Sequence, residues 1–273
     1  MMKLIGKVAI VTGAGGSGSG RAIARRFARE GASVVVADIR EDGMRDTASA
    51  IEVEGLRASI FRTDVGNEDE VRALFAFAEK TYGGIDIVVN NASGAVFPER
   101  SLDDWFANVR VDLLGAMYAT RYGIEAMRRR GGGAIVNIGS TSALPHGDVR
   151  SDSPAASGYN TAKVGVIRLT TTLKWLGVKE RIRVNCLVPH WIGTEEIKNS
   201  IAGMTPEQRR DWAVPDALIT PEEVAGATLR LATDESLAGR VMVWFGGQSP
   251  RLIPLGDPGY ASLDDVFGGD TGR

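Results

Sequence analysis

Cysteine is almost absent from the 273 residues: Cys186 stands alone, so no disulfide can form within the chain. Its neighbours Leu187 and Val188 are apolar, which suits a buried, inert thiol better than a nucleophile. Histidine occurs twice, at His146 and His190, and with one distant cysteine these do not make a zinc ligand set. Neither sign of charge prevails, since 32 Lys+Arg oppose 34 Asp+Glu for a formal net charge of −2. No overall positive field is therefore available to hold a nucleic acid. Long apolar runs are missing too. The start, MMKLIGKVAIVTG, is too short in its apolar part for a signal peptide, and no stretch reaches membrane-span length. Together these absences point to a cytoplasmic protein without a nucleic-acid or membrane partner. Hydrolase chemistry also lacks parts, because no G-x-S-x-G nucleophile elbow occurs.

What is present in excess is glycine, 34 of the 273 residues. Its placement matters more than its amount. Short β-branched runs alternate with amphipathic ones: strands over Lys7–Thr12, Ser33–Asp38, Ala58–Arg62 and Ile85–Asn90, with helices over Gly20–Glu30, Glu41–Glu54 and Asn67–Tyr82 between them. The pattern continues with a long helix over Leu102–Arg130, a strand Ala134–Gly139, a helix Gly158–Leu176 and a strand Arg183–Val188. A helix Pro221–Ala232 and a strand Val241–Phe245 complete it. Such alternation predicts an α/β, Rossmann-type, doubly wound sheet of seven parallel strands with helices on both faces. Residues 1–248 read as one dinucleotide-binding domain and Ser249–Arg273, rich in Pro, Gly and Asp, as a C-terminal tail.

Directly after the first strand comes Gly13-Ala14-Gly15-Gly16-Ser17-Gly18-Ser19-Gly20, opening a helix. Glycines let the backbone approach a pyrophosphate, whose charge meets the helix's free N–H groups. A P-loop is excluded, because Arg21-Ala22 stands where Lys and Ser/Thr are needed. The candidate phosphate contacts are Gly13, Gly15, Gly18 and Gly20. Asp38 ends the second strand, where a carboxylate can accept from adenosine ribose hydroxyls and repel a 2′-phosphate, favouring NAD over NADP. Arg40 and Arg21 could soften that repulsion, and a loop or capping role for Asp38 stays open.

With that loop in place, Asp64-Val65, Asn90-Asn91-Ala92, Asn137-Ile138-Gly139-Ser140, Tyr159-Asn160-Thr161-Ala162-Lys163 and Pro189 through Thr194 follow in order. Over roughly residues 5–247 the chain resembles the short-chain dehydrogenase/reductase family. The resemblance implies an NAD(H)-dependent oxidoreductase that moves hydride between cofactor and a secondary alcohol or ketone. It makes Tyr159 the acid/base, Lys163 its tuning cation and ribose ligand, and Ser140 the donor to the substrate oxygen. Tyr159 and Lys163, four apart, share one helix face, and an ammonium nearby stabilises a phenolate. The resemblance also places Asp64 and Val65 at the adenine, Asn90 at the adenosine half, and Pro189, Ile192 and Thr194 at the nicotinamide carboxamide. It implies a small-molecule substrate and a homo-oligomer, often a tetramer.

Several positions depart from the family pattern. The glycine loop is one residue longer than T-G-x-x-x-G-x-G. Asp112 stands where an asparagine of the catalytic set is usual, Ser93 replaces a glycine after Asn90-Asn91-Ala92, and His190 replaces one after Pro189. An insert, Leu144–Pro154, lengthens the interval from Ser140 to Tyr159, and with Gly193–Leu218 is expected to rim the substrate pocket. These departures keep a second reading in view: a nucleotide-binding relative with little catalysis, serving sensing or assembly.

Overall fold

Parallel strands cannot be joined by a tight turn, so each strand-to-strand step must pass through a crossover, and helices supply it. The computed structural model describes residues 2–94, 96, 98–144 and 156–254. Seven strands run parallel: β1 (Val8–Thr12), β2 (Ser33–Asp38), β3 (Ala58–Arg62), β4 (Ile87–Asn90), β5 (Gly133–Ile138), β6 (Ile182–Pro189) and β7 (Val241–Trp244). Their order is β3-β2-β1-β4-β5-β6-β7. The helices are α1 (Ser19–Arg29), α2 (Glu41–Glu52), α3 (Glu68–Tyr82), α4 (Leu102–Asn108), α5 (Gly115–Arg130), α6 (Ser157–Thr172), α7 (Lys174–Glu180), α8 (Glu195–Ala202), α9 (Pro206–Asp211) and α10 (Pro221–Thr233).

The two-residue period of a strand divides the core into two layers. Ala9, Val11, Val34 and Val36 pack with Ile23 and Phe27 of α1 and Leu229 of α10. Their neighbours Ile10, Val35 and Val88 face the other way, onto Leu74 of α3 and Ala119 of α5. Burying such a side chain fully is worth about 1.5–3 kcal/mol, so covering both faces is what makes nearly continuous apolar strands stable. The order reverses between β1 and β4, and that reversal opens a crevice at the strands' C-terminal ends.

Three features differ from the expectation. An eighth strand, β8 (Arg251–Leu252), pairs antiparallel with β7. It lies inside the segment read as a tail, and two residues give no periodicity to read. The remainder of that tail, 255–273, falls outside the described residues. The helix expected over Leu102–Arg130 has the expected extent, but Val109–Leu114 is a π-helical turn between α4 and α5. The helix expected to reach Leu176 breaks at Leu173. Just before the break, the hydroxyls of Thr170, Thr171 and Thr172 donate to the carbonyls of Val166, Arg168 and Leu169, a competition with the helix ladder that bends helices.

Candidate active site

The glycine loop lies at the switch point. Thr12, the last residue of β1, accepts at its hydroxyl from the amides of Asn91 and Ala92 and donates to the Val89 carbonyl. Asn91 Nδ2 donates to the carbonyls of Thr12 and Gly13, tying the ends of β1 and β4 together. Gly13 has φ +67°, and a Cβ there would lie 2.6 Å from Ala92 Cα. A side chain is barred by backbone conformation and by space together. No side chain caps α1, whose N-cap is Gly18, and its first turn carries no acid. Uncapped N–H groups and an unopposed helix dipole suit a pyrophosphate, so the residues present fit a dinucleotide.

Asp38 is buried and already engaged. Its Oδ2 accepts from the Gly15 amide at 2.8 Å, and its Oδ1 accepts from the Arg40 amide at 3.0 Å and from Arg40 Nε at 3.3 Å. The acid thus also shapes the lengthened loop, occupying the Gly15 N–H. Arg40 leans over Gly16, whereas Arg21 turns away to Thr47, the Gly43 carbonyl and Asp46. Of the two arginines expected to temper Asp38, Arg40 does so by direct contact.

Helix α6 presents Tyr159 and Lys163 on one face. The Tyr159 ring is half-buried, with Lys163 Nζ 5.4 Å from its centroid. Lys163 is 4% exposed and donates to the Ile138 carbonyl of β5 at 3.1 Å. Its other described partner is Asp112 Oδ1 at 3.0 Å. Burial pulls the Lys163 ammonium down, but the attraction of Asp112 and, less, of Tyr159 outweighs it and leaves the group above the usual lysine range. The π-helical turn is what aims Asp112, the one buried residue of that turn, inward at α6. Ser140, just after β5, is half-buried; its hydroxyl shares a 2.9 Å hydrogen bond with that of Ser142 and accepts from the Ser142 amide.

Comparison with known proteins places this arrangement. The family model for short chain dehydrogenases matches residues 7–204. The chain belongs to the short-chain dehydrogenase family. An uncharacterized oxidoreductase of Thermotoga maritima is 34% identical over 260 residues, covering 92% of this chain and 98% of that protein. The cis-4-hydroxycyclohexanecarboxylate dehydrogenase of Sinomonas cyclohexanicum is 36% identical over 251 residues, 88% of this chain and 96% of its own. Among solved structures, a hydroxysteroid dehydrogenase from Escherichia coli superposes with a TM-score of 0.76 at 29% identity, over 90% of this chain and 98% of that one. The chain is an oxidoreductase of this family with its Rossmann-type fold.

The remaining short-chain dehydrogenase positions sort into engaged and reachable ones. Asp64 accepts from Arg110 at 3.0 Å and from the Gly66 amide at 2.8 Å, while Val65 packs against Gly115. Asn90 is buried and donates to Asn137 Oδ1 at 2.8 Å, to Thr120 and to the Ala116 carbonyl, a structural network at the end of β4. Pro189 closes β6, and Ile192 forms a bridge with Ile219. Thr194 caps α8 by accepting from the Ile197 amide, and its methyl lies against Gly18, closing the crevice over the glycine loop. The His190 ring lies tilted against that of Phe245, centroids 5.4 Å apart, and burial holds its imidazole below the usual histidine range. The insert falls almost wholly on 145–155, outside the described residues; Gly193–Leu218 carries α8 and α9.

Sequence reasoning missed Glu99. This buried carboxylate accepts from the amides of Gly158 at 3.0 Å and Tyr159 at 2.8 Å, and from Asn108 Nδ2 at 2.6 Å. It caps the first turn of α6 from a distant loop and so fixes where Tyr159 starts. A glutamate 59 residues before the turn it caps gives no local signal. Among the described residues no helix is long and apolar enough to cross a membrane, and no group of His, Cys, Asp or Glu is arranged for a metal.

Proposed function

We propose that this protein is an NAD(H)-dependent oxidoreductase interconverting a secondary alcohol and a ketone on a small or medium-sized substrate. The observation that carries the reading is the half-buried Tyr159 with the Lys163 ammonium beneath its ring, on the helix that faces the strand ends beside an uncapped, glycine-rich helix N-terminus. Named relatives act on alcohols of this kind: a hydroxycyclohexanecarboxylate and a hydroxysteroid. Residues 1–248 would form the nucleotide-binding domain with its substrate loops built in.

The cofactor, when bound, supplies the hydride donor or acceptor. Gly13, Gly18 and Gly20 would line its phosphates, with Gly15 held to Asp38; Asp38 would meet the ribose hydroxyls with its remaining lone pairs, favouring NAD over NADP. Asp64, Val65 and Asn90 would flank the adenosine half, and Pro189, Ile192 and Thr194 the nicotinamide. In oxidation Tyr159 Oη takes the proton of the substrate hydroxyl; in reduction it returns one. Ser140 Oγ, with its hydroxyl rotor free to turn from Ser142, donates to the substrate oxygen as charge gathers there. Lys163 spends two protons on Ile138 and Asp112, leaving the third for a ribose hydroxyl. Exposed Trp105 (37%), Phe106 (73%) and Met117 (43%) on α4 and α5 support a homo-oligomer, expected to be a tetramer, joined through that helix pair.

The test is the purified protein with NAD+ and a panel of secondary alcohols, hydroxycyclohexanecarboxylates and hydroxysteroids included. Growth of reduced-nicotinamide absorbance on some member supports the reading. Tight NADH binding with no turnover on any member, in either direction, favours the non-catalytic alternative.

A further inference from the structure

Ser93 and Asp112, two of the departures noted in the sequence, meet in the fold. Ser93 Oγ donates to Asp112 Oδ1 at 2.7 Å, the same oxygen that Lys163 Nζ reaches at 3.0 Å. The carboxylate is fully buried in its side chain, yet its second oxygen, Oδ2, has no protein donor among the described residues. Neither has Asn90 Oδ1. The Asn90 amide cannot turn round to mend this, because its Nδ2 side faces the Ala116 carbonyl and Asn137 Oδ1, both acceptors. Both orphaned oxygens belong to residues lining one small cavity of about 10 Å³, walled also by Thr12, Val65, Ala92 and Lys163. That is the room of a single water, and two acceptors on the lining residues match its two protons.

We propose that Ser93 and Asp112 form a charge-compensating clamp on Lys163, completed by one buried water shared with Asn90, and that the clamp keeps Lys163 charged where an amide at position 112 would let its proton go. The proposal rests on the Tyr159 and Lys163 roles given above and makes Asp112 a positioning residue acting through Lys163. The charge count carries it. Asp112 and Lys163 together are neutral, so loss of the Lys163 proton leaves the buried pair at −1. With an amide at position 112 the same step would run from +1 to 0. The ammonium therefore gives up its proton at higher pH in this chain than it would without the acid. Among the described residues the ionisable groups acting on Lys163 are Asp112 from the π-helical turn, Tyr159 from its own helix and Cys186 from β6. Cys186 is buried and pushed up to about 12, so it stays an uncharged thiol. From β5 comes only the Ile138 carbonyl, and Glu99 binds the backbone at the start of α6.

The experiment needs no substrate, so it stands apart from the test of the overall activity. The Lys163 resonance in lysine-labelled protein, identified by its absence from Lys163→Gln, is followed with pH. Asp112→Asn is expected to lower its midpoint by about one pH unit. An unchanged midpoint in a folded variant overturns the clamp. Should the variant fail to fold, the parent decides alone: Lys163 keeping its proton above the ordinary lysine value of about 10.4 supports the proposal, and losing it below that value overturns it. A crystal structure resolving ordered solvent should show one water within hydrogen-bonding distance of Asp112 Oδ2 and Asn90 Oδ1. A protein donor on both oxygens in its place would contradict the shared water.

Discussion

Asp38 shows how one side chain can be legible in type and illegible in use. An acid at the end of β2 is readable from spacing to the glycine loop, but its bonds to the Gly15 amide and Arg40 arise from a loop one residue longer than usual, whose path the sequence does not disclose. The carboxylate shapes the loop, and in the proposed NAD(H) reading it would also oppose a 2′-phosphate. Asp38→Ser is therefore expected to lower the ratio of NAD+ to NADP+ efficiency by about tenfold, roughly 1.4 kcal/mol, with Arg40 then free to meet the phosphate. Steady-state kinetics with both cofactors decide it, and an unchanged ratio would remove Asp38 from the specificity account. Tyr159 and Lys163 were readable because a four-residue spacing on a helix fixes a shared face. Their partner Asp112 was readable only as an oddity, since its aim depends on the π-helical turn.

At the scale of elements, strands and crossovers followed from period-two and amphipathic patterns, whereas the π-helical turn, the break at Leu173 and β8 did not. A six-residue π-helical turn, a threonine run and a two-residue strand are all shorter than the window any periodicity needs. The cap on α6 was hidden for another reason: Glu99 is local in space and remote in sequence. Glu99→Gln keeps the shape but loses charge-assisted bonds to the Gly158 and Tyr159 amides. It should cost about 1–3 kcal/mol in denaturant unfolding and lower kcat more than it raises KM, because the start of α6 frays where Tyr159 sits. Equal stability would show that the cap is not holding the helix. At the glycine loop, Gly13→Ala meets positive φ and the Ala92 backbone at once, so thermal unfolding should report a loss of at least about 1–2 kcal/mol and NADH fluorescence a weaker complex.

The molecule as a whole buries two groups that tie its stability to alkaline pH. Burial pushes the Cys186 thiol up to about 12. Below about pH 8.5 the thiol is protonated in both folded and unfolded chains and contributes nothing; from there to about 12 only the unfolded chain releases the proton, so stability falls by about 1.4 kcal/mol per pH unit. Lys163, raised in the fold, stabilises below the ordinary lysine value and loses that contribution as pH rises through its folded one. Between pH 8.5 and 10, Cys186→Ala should lose about 2 kcal/mol less stability than the parent, and parallel losses would place the alkaline weakness elsewhere. The doubly wound architecture was legible because covered parallel strands must be apolar throughout; which small molecule enters was not, because the segments around the crevice, Gly193–Leu218 among them, follow no repeating pattern. The central claim is that Tyr159 exchanges the substrate's proton. Its most direct test is turnover of an oxidised alcohol by Tyr159→Phe beside NADH affinity of the same variant: a loss of roughly 10²–10⁴-fold in kcat with affinity kept is the predicted result, and turnover surviving at the parent's rate would contradict the account.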